Sequence, residues 1–267
     1  MQIIKKILFV PIALLKYLRK KYYLLFLDEK IFFEEQKRKF EKFNLSRENG
    51  DNNLKKIYKN FGLKKSKMTS EHEIIFSSLS LSDFHPQTIL EIGTFDARNV
   101  KLLSILFDKS NITTIDLDEK EEDFKNFYDR NNEKKLKEFL TERSNNLKDL
   151  KNVEFIKKNS LKLINESKKY DLIWIDGAHG YPFITADIIN SLKILNNSGI
   201  ILCDDIFIDN HQLSNNKMYE SVGGFQTLKE LRKANILNFE LFHKRLNKES
   251  LAIPKKRKFI ALVNKIN

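Results

Sequence analysis

A chain of 267 residues that is 41% hydrophobic, with only 8 Gly and 4 Pro, has room for one α/β domain of roughly 200 residues plus an appendage, and is not a low-complexity chain. Its net charge of +12 is lopsided: residues 1–70 hold 18 Lys/Arg against 7 Asp/Glu, so the remainder is nearly neutral and offers no clustered basic face for nucleic acid, which is not expected as a partner. The single Cys203 excludes an internal disulfide and fits a reducing, cytoplasmic compartment.

The chain begins MQIIKKILFVPIALLKYLRKKYYLLFL, in which apolar and basic blocks alternate. The uncharged run from Ile7 to Leu15 is about half of the ~20 residues that span a bilayer, which argues against a transmembrane helix. Lys5-Lys6 and that run imitate a secretory signal, but Tyr17-Leu18-Arg19-Lys20-Lys21 follows where a small-residue cleavage site belongs. An amphipathic helix remains, with Ile4, Ile7, Leu8, Leu14, Leu15, Leu18, Tyr22 and Leu25 on one side. Residues 1–27 would lie on an anionic membrane surface, making the protein peripheral on the inner membrane face. The alternative is packing on its own domain, or on a second copy in a homo-oligomer.

Helical patterning continues to Phe43, and the polar stretch Asn44 to Asn53 (NLSRENGDNN) then breaks it. The expected organisation is a basic amphipathic helical arm over residues 1–45, a linker and short helix (Leu54 to Phe61) over 46–69, and a catalytic domain over 70–267. Ser70-Glu71-His72-Glu73 has the form of a capping box opening a helix.

The first strand is expected over Thr88 to Ile92, running into Glu91-Ile92-Gly93-Thr94-Phe95-Asp96, with a helix from about Ala97 to Phe107. This is the first half of a nucleotide-binding βαβ unit, with Gly93 allowing close backbone approach to a ligand. A second strand, Ile112 to Ile115, ends in Asp116, where an acid can accept hydrogen bonds from ribose hydroxyls. Glu119 to Leu150 is charged and helical, and Arg130 and Arg143 within it default to solvent.

The stretch from Tyr170 to Phe207 reads as strand, loop, helix, turn and strand. Leu172 to Ile175 and Ile200 to Cys203 are unbroken apolar runs, as in a parallel sheet covered on both faces. The helix between them carries Ile184, Ile188, Ile189, Leu192 and Leu195 at helical spacing. Each strand delivers acids at its C-terminal end, Asp176 after the first and Asp204 with Asp205 after the second, the edge where open α/β sheets bind ligands. Three converging carboxylates call for a hard cation, Mg²⁺ or Mn²⁺, with His179 nearby as a base. The plain alternative is that the acids end strands or cap helices. Gly223 to Ala234 is expected to be helical. Ile236 to His243 and Phe259 to Val263 are expected to be strands around a turn whose Lys255 to Lys258 cluster is solvated.

LEIGTFDARN, TTIDLD, VEFIKKNS, DLIWIDGAHGY and ILCDDIF, in that order, resemble class I S-adenosylmethionine-dependent methyltransferases of the metal-assisted small-molecule O-methyltransferase type, from about Met68 to Phe207. The resemblance implies a Rossmann-like, doubly wound, mostly parallel seven-stranded sheet with an antiparallel last strand. It places the cofactor loop on Glu91, Gly93 and Thr94, the ribose acid on Asp116, and the adenine side on Asn159 and Ser160. Metal ligands would be Asp176, Asp204 and Asp205, the catalytic pair His179 and Asp176, with Asp176 also near the cofactor. The implied reaction moves a methyl group from S-adenosyl-L-methionine to a hydroxyl of a small-molecule or glycan-type acceptor with Mg²⁺ or Mn²⁺. The loop departs from the pattern in its single glycine.

The residue types agree with this reading. A sulfonium cation favours nearby acids, whereas an NAD pyrophosphate requires helix N–H groups and a fuller glycine loop than this one. Two other readings stand beside it. Asp116-Leu117-Asp118 has the D-x-D form of metal-dependent nucleotide-sugar glycosyltransferases, and a thin glycine loop suits an inactive membrane-tethered binding protein of the same fold.

Overall fold

The computed structural model describes residues 14–15, 17–19, 21–63, 70–126, 130–209 and 221–266. The first half of the expected membrane-facing arm lies outside these residues. The described residues between 14 and 26 are helical, and Leu15, Tyr22, Leu25 and Phe26 are exposed there. Three helices follow: α1 (Glu29–Lys42), α2 (Arg47–Asn60) and α3 (Glu71–Ser80). The alternating part comprises β1 (Thr88–Ile92), α4 (Arg98–Leu106), β2 (Asn111–Asp116), α5 (Glu133–Leu147), β3 (Val153–Lys157), β4 (Tyr170–Ile175), α6 (Phe183–Ile194), β5 (Leu195–Ile206), α7 (Gly223–Lys233), β6 (Leu237–His243) and β7 (Phe259–Lys265).

The unbroken apolar runs produce strands that are buried on both faces. The seven strands lie in the order β3-β2-β1-β4-β5-β7-β6. Neighbours from β3 to β5 are parallel, and β7 runs antiparallel to both β5 and β6. The order reverses between β1 and β4, which opens a crevice at their C-terminal ends. This is the Rossmann-like sheet with an antiparallel last strand that the sequence implied. On one face Ile89, Leu172, Trp174, Leu202 and Leu262 pack with α2 to α4. On the other, Leu90, Ile173, Ile175, Ile201 and Val263 pack with α6 and α7.

The stretch expected to be a linker is helical. Ser46 caps α2 by accepting a hydrogen bond from the Asn49 N–H at 3.2 Å, and the polar run Asn44 to Asn53 supplies a helix with one narrow buried edge rather than a loop. Gly50, within that stretch, lies where α2 crosses α3. A Cβ there would stand 2.8 Å from the Ile74 carbonyl oxygen and closer still to Ser78 Oγ. The arm is likewise no free appendage from α1 onward. Phe40 is fully buried edge-on to Phe242 at 5.3 Å, and Phe40, Leu45 and Leu54 share one core with the sheet.

The expected capping box is also absent. Ser70 starts α3 without capping it by its side chain and meets His72 Nδ1 instead, at 2.7 Å. Glu73, the acid of the box, accepts from the Tyr58 hydroxyl at 2.9 Å, and Arg47 on α2 holds Glu71 in a two-pronged ion pair with both contacts at 2.7 Å.

Gly50→Ala should therefore destabilise the fold by about 1–3 kcal/mol, the usual penalty for overpacking a tight contact. Urea unfolding would measure it, and unchanged stability would contradict the close α2–α3 crossing.

Candidate functional site

The crevice beyond β1, β2 and β4 is a cavity of ≈ 270 Å³. Gly93, Asp116, Asn159, Ser160, Asp176 and His179 all line it, so six residues drawn from four loops in the sequence converge on one space. Gly93 makes this possible through its own conformation. Its φ is +101°, and a Cβ would collide with the Asp176 carbonyl, coming within 2.7 Å of the carbonyl carbon. The glycine thus serves the approach of the β1 loop to the β4 loop. Where further glycines are absent, Phe95 and Ala97 themselves take left-handed conformations, with φ of 47° and 63°.

Asp116 ends β2 with its carboxylate in the cleft, accepting hydrogen bonds from the N–H of Leu117 (2.8 Å) and of Phe95 (3.1 Å). Burial raises its pKa, opposed by those N–H groups and by Arg143, whose guanidinium lies 3.6 Å away. Arg143 and Arg130 are buried, not solvated as their charge had suggested. Arg130 lies between the rings of Phe124 and Phe139, at 4.2 and 4.1 Å from their centres, and Arg143 lies 4.8 Å from the Phe155 ring. Arg130 lines the cavity, and Arg143 stands behind Asp116. Asn159 caps the short helical turn Ser160–Asn165, and the Ser160 hydroxyl meets the buried Asp187. Asp187, whose pKa burial lifts to about 6, escaped the sequence reading because it lies within an apolar helix.

Glu91 and Thr94 do not reach the cleft. Both are buried beneath it in a chain in which Asn99 donates to Glu91 Oε1 at 2.8 Å, Thr114 to Glu91 Oε2 at 2.5 Å, and Thr94 meets Thr114 at 2.6 Å. Burial pushes the Glu91 carboxyl up to about 8, so it is largely protonated at neutral pH and supports the loop from below.

His179 stands between the cleft and the second acid group. Its Nε2 lies 3.4 Å from Asp176 Oδ1 and 4.0 Å from Asp205 Oδ2, and its Nδ1 is buried with no hydrogen-bond partner. Partial burial and then Asp204 raise the Asp176 pKa to about 6. Burial lowers that of His179, but the Asp176 hydrogen bond and the surrounding acids outweigh it and raise it overall.

A methyltransferase-domain family model matches residues 90–206. Residues 90–206, a little under half of the chain, are thus similar to a methyltransferase domain. The methyltransferase domain also resembles solved structures, at identities that speak for the fold alone. A Klebsiella pneumoniae protein named as an O-methyltransferase shares 16% identity over 80% of this chain and 90% of its own, with a TM-score of 0.51. A cofactor-bound protein from MTB shares 14% over 80% and 88%, at 0.51. A Bacillus cereus O-methyltransferase in complex with SAH shares 16% over 80% and 89%, at 0.50. No curated protein sequence matches the chain.

In the methyltransferase domain the three expected metal ligands do not form an open carboxylate site. Neighbouring residues of a regular strand point to opposite faces, yet Asp204 and Asp205 converge because β5 is bulged between Cys203 and Ile206 and Asp205 is left-handed, with φ of 49°. They converge on an ammonium group. Lys244 Nζ lies 2.5 Å from Asp204 Oδ2 and 2.6 Å from Asp205 Oδ1, and Lys258 Nζ lies 2.7 Å from Asp205 Oδ2. Among the described residues no group of three His, Cys, Asp or Glu side chains is arranged to hold a metal ion. The donor set as it stands therefore does not fit Mg²⁺ or Mn²⁺, because ammonium groups already hold the carboxylate oxygens of Asp204 and Asp205 that would face the ion.

Lys258 was expected in a solvated turn, and Lys244 drew no attention in the sequence. The signal for both is topological. β6 runs parallel to β5, so the residue just after β6 and the residue just before the antiparallel β7 both lie at the sheet edge that carries the acids. The D-x-D reading loses its pair: Asp118 accepts from the Lys120 N–H at 2.9 Å and lies 3.8 Å from Lys157, a partner set separate from that of Asp116.

Glu91 provides a pH test. The unfolded chain ionises this carboxyl near 4.5 and the folded one near 8, so between those values the folded state holds a proton that the unfolded state has lost, and stability falls as pH rises. Glu91→Gln should remove that component, with the stability difference between wild type and variant changing by up to about 1.4 kcal/mol per pH unit across the window. Parallel slopes in denaturant titrations from pH 5 to 8 would refute it.

Proposed function

We infer that the protein is an S-adenosylmethionine-dependent O-methyltransferase acting on a hydroxyl of a small-molecule or glycan-type acceptor. The observation that carries the reading is the convergence of Gly93, Asp116, Asn159, Ser160, Asp176 and His179 on one crevice at the switch point of the methyltransferase domain. The residues present fit the cofactor: an acid at the end of β2 for the ribose, a polar turn at Asn159–Ser160 for the adenine side, and carboxylates near the sulfonium. When bound, S-adenosylmethionine supplies an electrophilic methyl group on a positively charged sulfur.

The chain's own residues then have defined tasks. Asp116 holds the ribose. Asp176 pairs with His179 Nε2, and the His179 imidazole at the cleft wall takes the acceptor's proton as the new oxygen–methyl bond forms and the sulfur–methyl bond breaks. The cleft walls align the hydroxyl with the methyl group.

Asp116→Ala should weaken S-adenosylmethionine binding by about 1.5–3 kcal/mol, the scale of lost hydrogen bonds to a charged acceptor. Calorimetry showing unchanged affinity in a folded variant would refute the cofactor assignment. Acceptor screening with labelled cofactor identifies the substrate, after which His179→Ala should lower kcat by about 10²- to 10⁴-fold without changing cofactor affinity.

The N-terminal arm adds a second reading. No helix of the described residues is long and apolar enough to cross a membrane, yet Leu14, Leu15, Leu18, Tyr22, Leu25 and Phe26 are exposed beside Arg19 and Lys21. This supports attachment of the arm to an anionic membrane surface. Full-length protein should then co-sediment with anionic liposomes and lose most of that binding at high salt, since each basic residue contributes about 1 kcal/mol. Equal sedimentation after removal of residues 1–27 would instead favour packing on protein, as in a homo-oligomer.

A further inference from the structure

We propose that Lys244, backed by Lys258, is the resident cation of this active site and takes the place of the divalent ion among Asp176, Asp204 and Asp205. Lys244 is 8% exposed, and its ammonium meets one oxygen of Asp204 and one of Asp205 at 2.5 and 2.6 Å. Lys258 takes the remaining oxygen of Asp205 at 2.7 Å. Two ammonium charges equal the charge of one divalent ion, so the acid cluster reaches the same balance without metal. A metal ion entering as well would sit against Lys244 at contact range and meet repulsion instead of an acid cluster in need of a cation.

The lysine is also built in. The Lys244 N–H donates to the Lys258 carbonyl at 2.9 Å, and the Lys244 carbonyl accepts from the Glu71 N–H at 2.9 Å. Its backbone is thereby fixed to β7 on one side and to the start of α3 on the other. On the preceding residue, the His243 N–H donates to Gln36 Oε1 at 2.9 Å while Gln36 Nε2 donates to the His243 carbonyl at 3.1 Å. What Asp204 and Asp176 keep for a metal is the partnerless Asp204 Oδ1 and the carboxylate already facing His179, and both acids lie within the field of the Lys244 ammonium.

For the site's role in methyl transfer this inference rests on the proposed function. There the ammonium keeps the acids at a fixed charge beside His179, whose Nε2 stands 4.0 Å from Asp205 Oδ2, with no ion to be recruited.

The test is Mn²⁺ binding to the full chain, followed by electron paramagnetic resonance. Wild-type protein should show no Mn²⁺ site that Asp204→Asn removes. Lys244→Met, of similar length without the charge, should raise Mn²⁺ affinity by about tenfold or more, and adding Asp204→Asn to it should abolish the gain. A wild-type site lost in Asp204→Asn overturns the proposal, as does a folded Lys244→Met that gains no Mn²⁺. Should Lys244→Met fail to fold, the wild-type titration decides, with Lys258→Met as the second variant expected to gain Mn²⁺. Calorimetry of S-adenosylmethionine on the same wild-type sample separates the two readings: absence of cofactor binding refutes the methyltransferase function and leaves the Mn²⁺ result standing.

Discussion

The structure depends on placing five carboxylates, Glu91, Asp116, Asp176, Asp204 and Asp205, at one edge of one sheet, where parallel strands deliver them together whether or not they repel. Each is relieved in its own way. Glu91 keeps its proton, with a pKa pushed up to about 8 by burial. Asp116 accepts two backbone N–H bonds and faces Arg143. Asp205 would be raised by burial, but Lys244 first, then His179 and Lys258, hold it well below the ordinary carboxylate range. Asp176 is left the least relieved, raised to about 6 beside Asp204, and it is the acid that faces both the cleft and His179.

The helices before the first strand are part of this arrangement. Gln36 on α1 is fully buried with its amide bonded to both backbone groups of His243, and Glu71 at the head of α3 fixes the next carbonyl along. Arg47 on α2 in turn closes on Glu71. A continuous set of contacts runs from the N-terminal helices to the strand end that presents Lys244. The segment that looked like an arm and a linker therefore orients a charge of the site, in addition to covering one face of the sheet.

The legible parts were those written in local pattern. Thr88 to Ile92 and Leu172 to Ile175 are short apolar runs that end in an acid or a glycine, and they became β1 and most of β4. The convergence of Gly93, Asp116, Asn159, Ser160, Asp176 and His179 was legible because each follows a strand in a parallel sheet. The roles of Glu91 and Thr94 were not, because strand alternation turned the Glu91 side chain into the interior and the loop after Gly93 turned Thr94 inward onto Thr114. Arg130 and Arg143 were misjudged since charge alone says nothing of an aromatic lining, here Phe124, Phe139 and Phe155. Gly50 and its polar neighbours mimicked a linker because the partner that demands a glycine, α3, is distant in sequence.

The glycine-poor loop follows from the same constraint. Between β1 and α4 the backbone must turn sharply enough for Gly93 to pass the Asp176 carbonyl and for the Phe95 N–H to reach Asp116. Phe95 and Ala97 therefore adopt left-handed conformations that cost roughly 1–2 kcal/mol each for residues with a Cβ. Offsetting contacts exist at both. Ala97 is fully buried in the core, and the Phe95 ring lies 5.2 Å from Phe139 and 5.3 Å from the Arg130 guanidinium. A glycine at either position would relax the turn and forfeit the packing. At position 95 it would also remove the ring that joins the β1 loop to Arg130 in the cavity wall, so this loop gains from a side chain what a glycine-rich loop gains from backbone freedom.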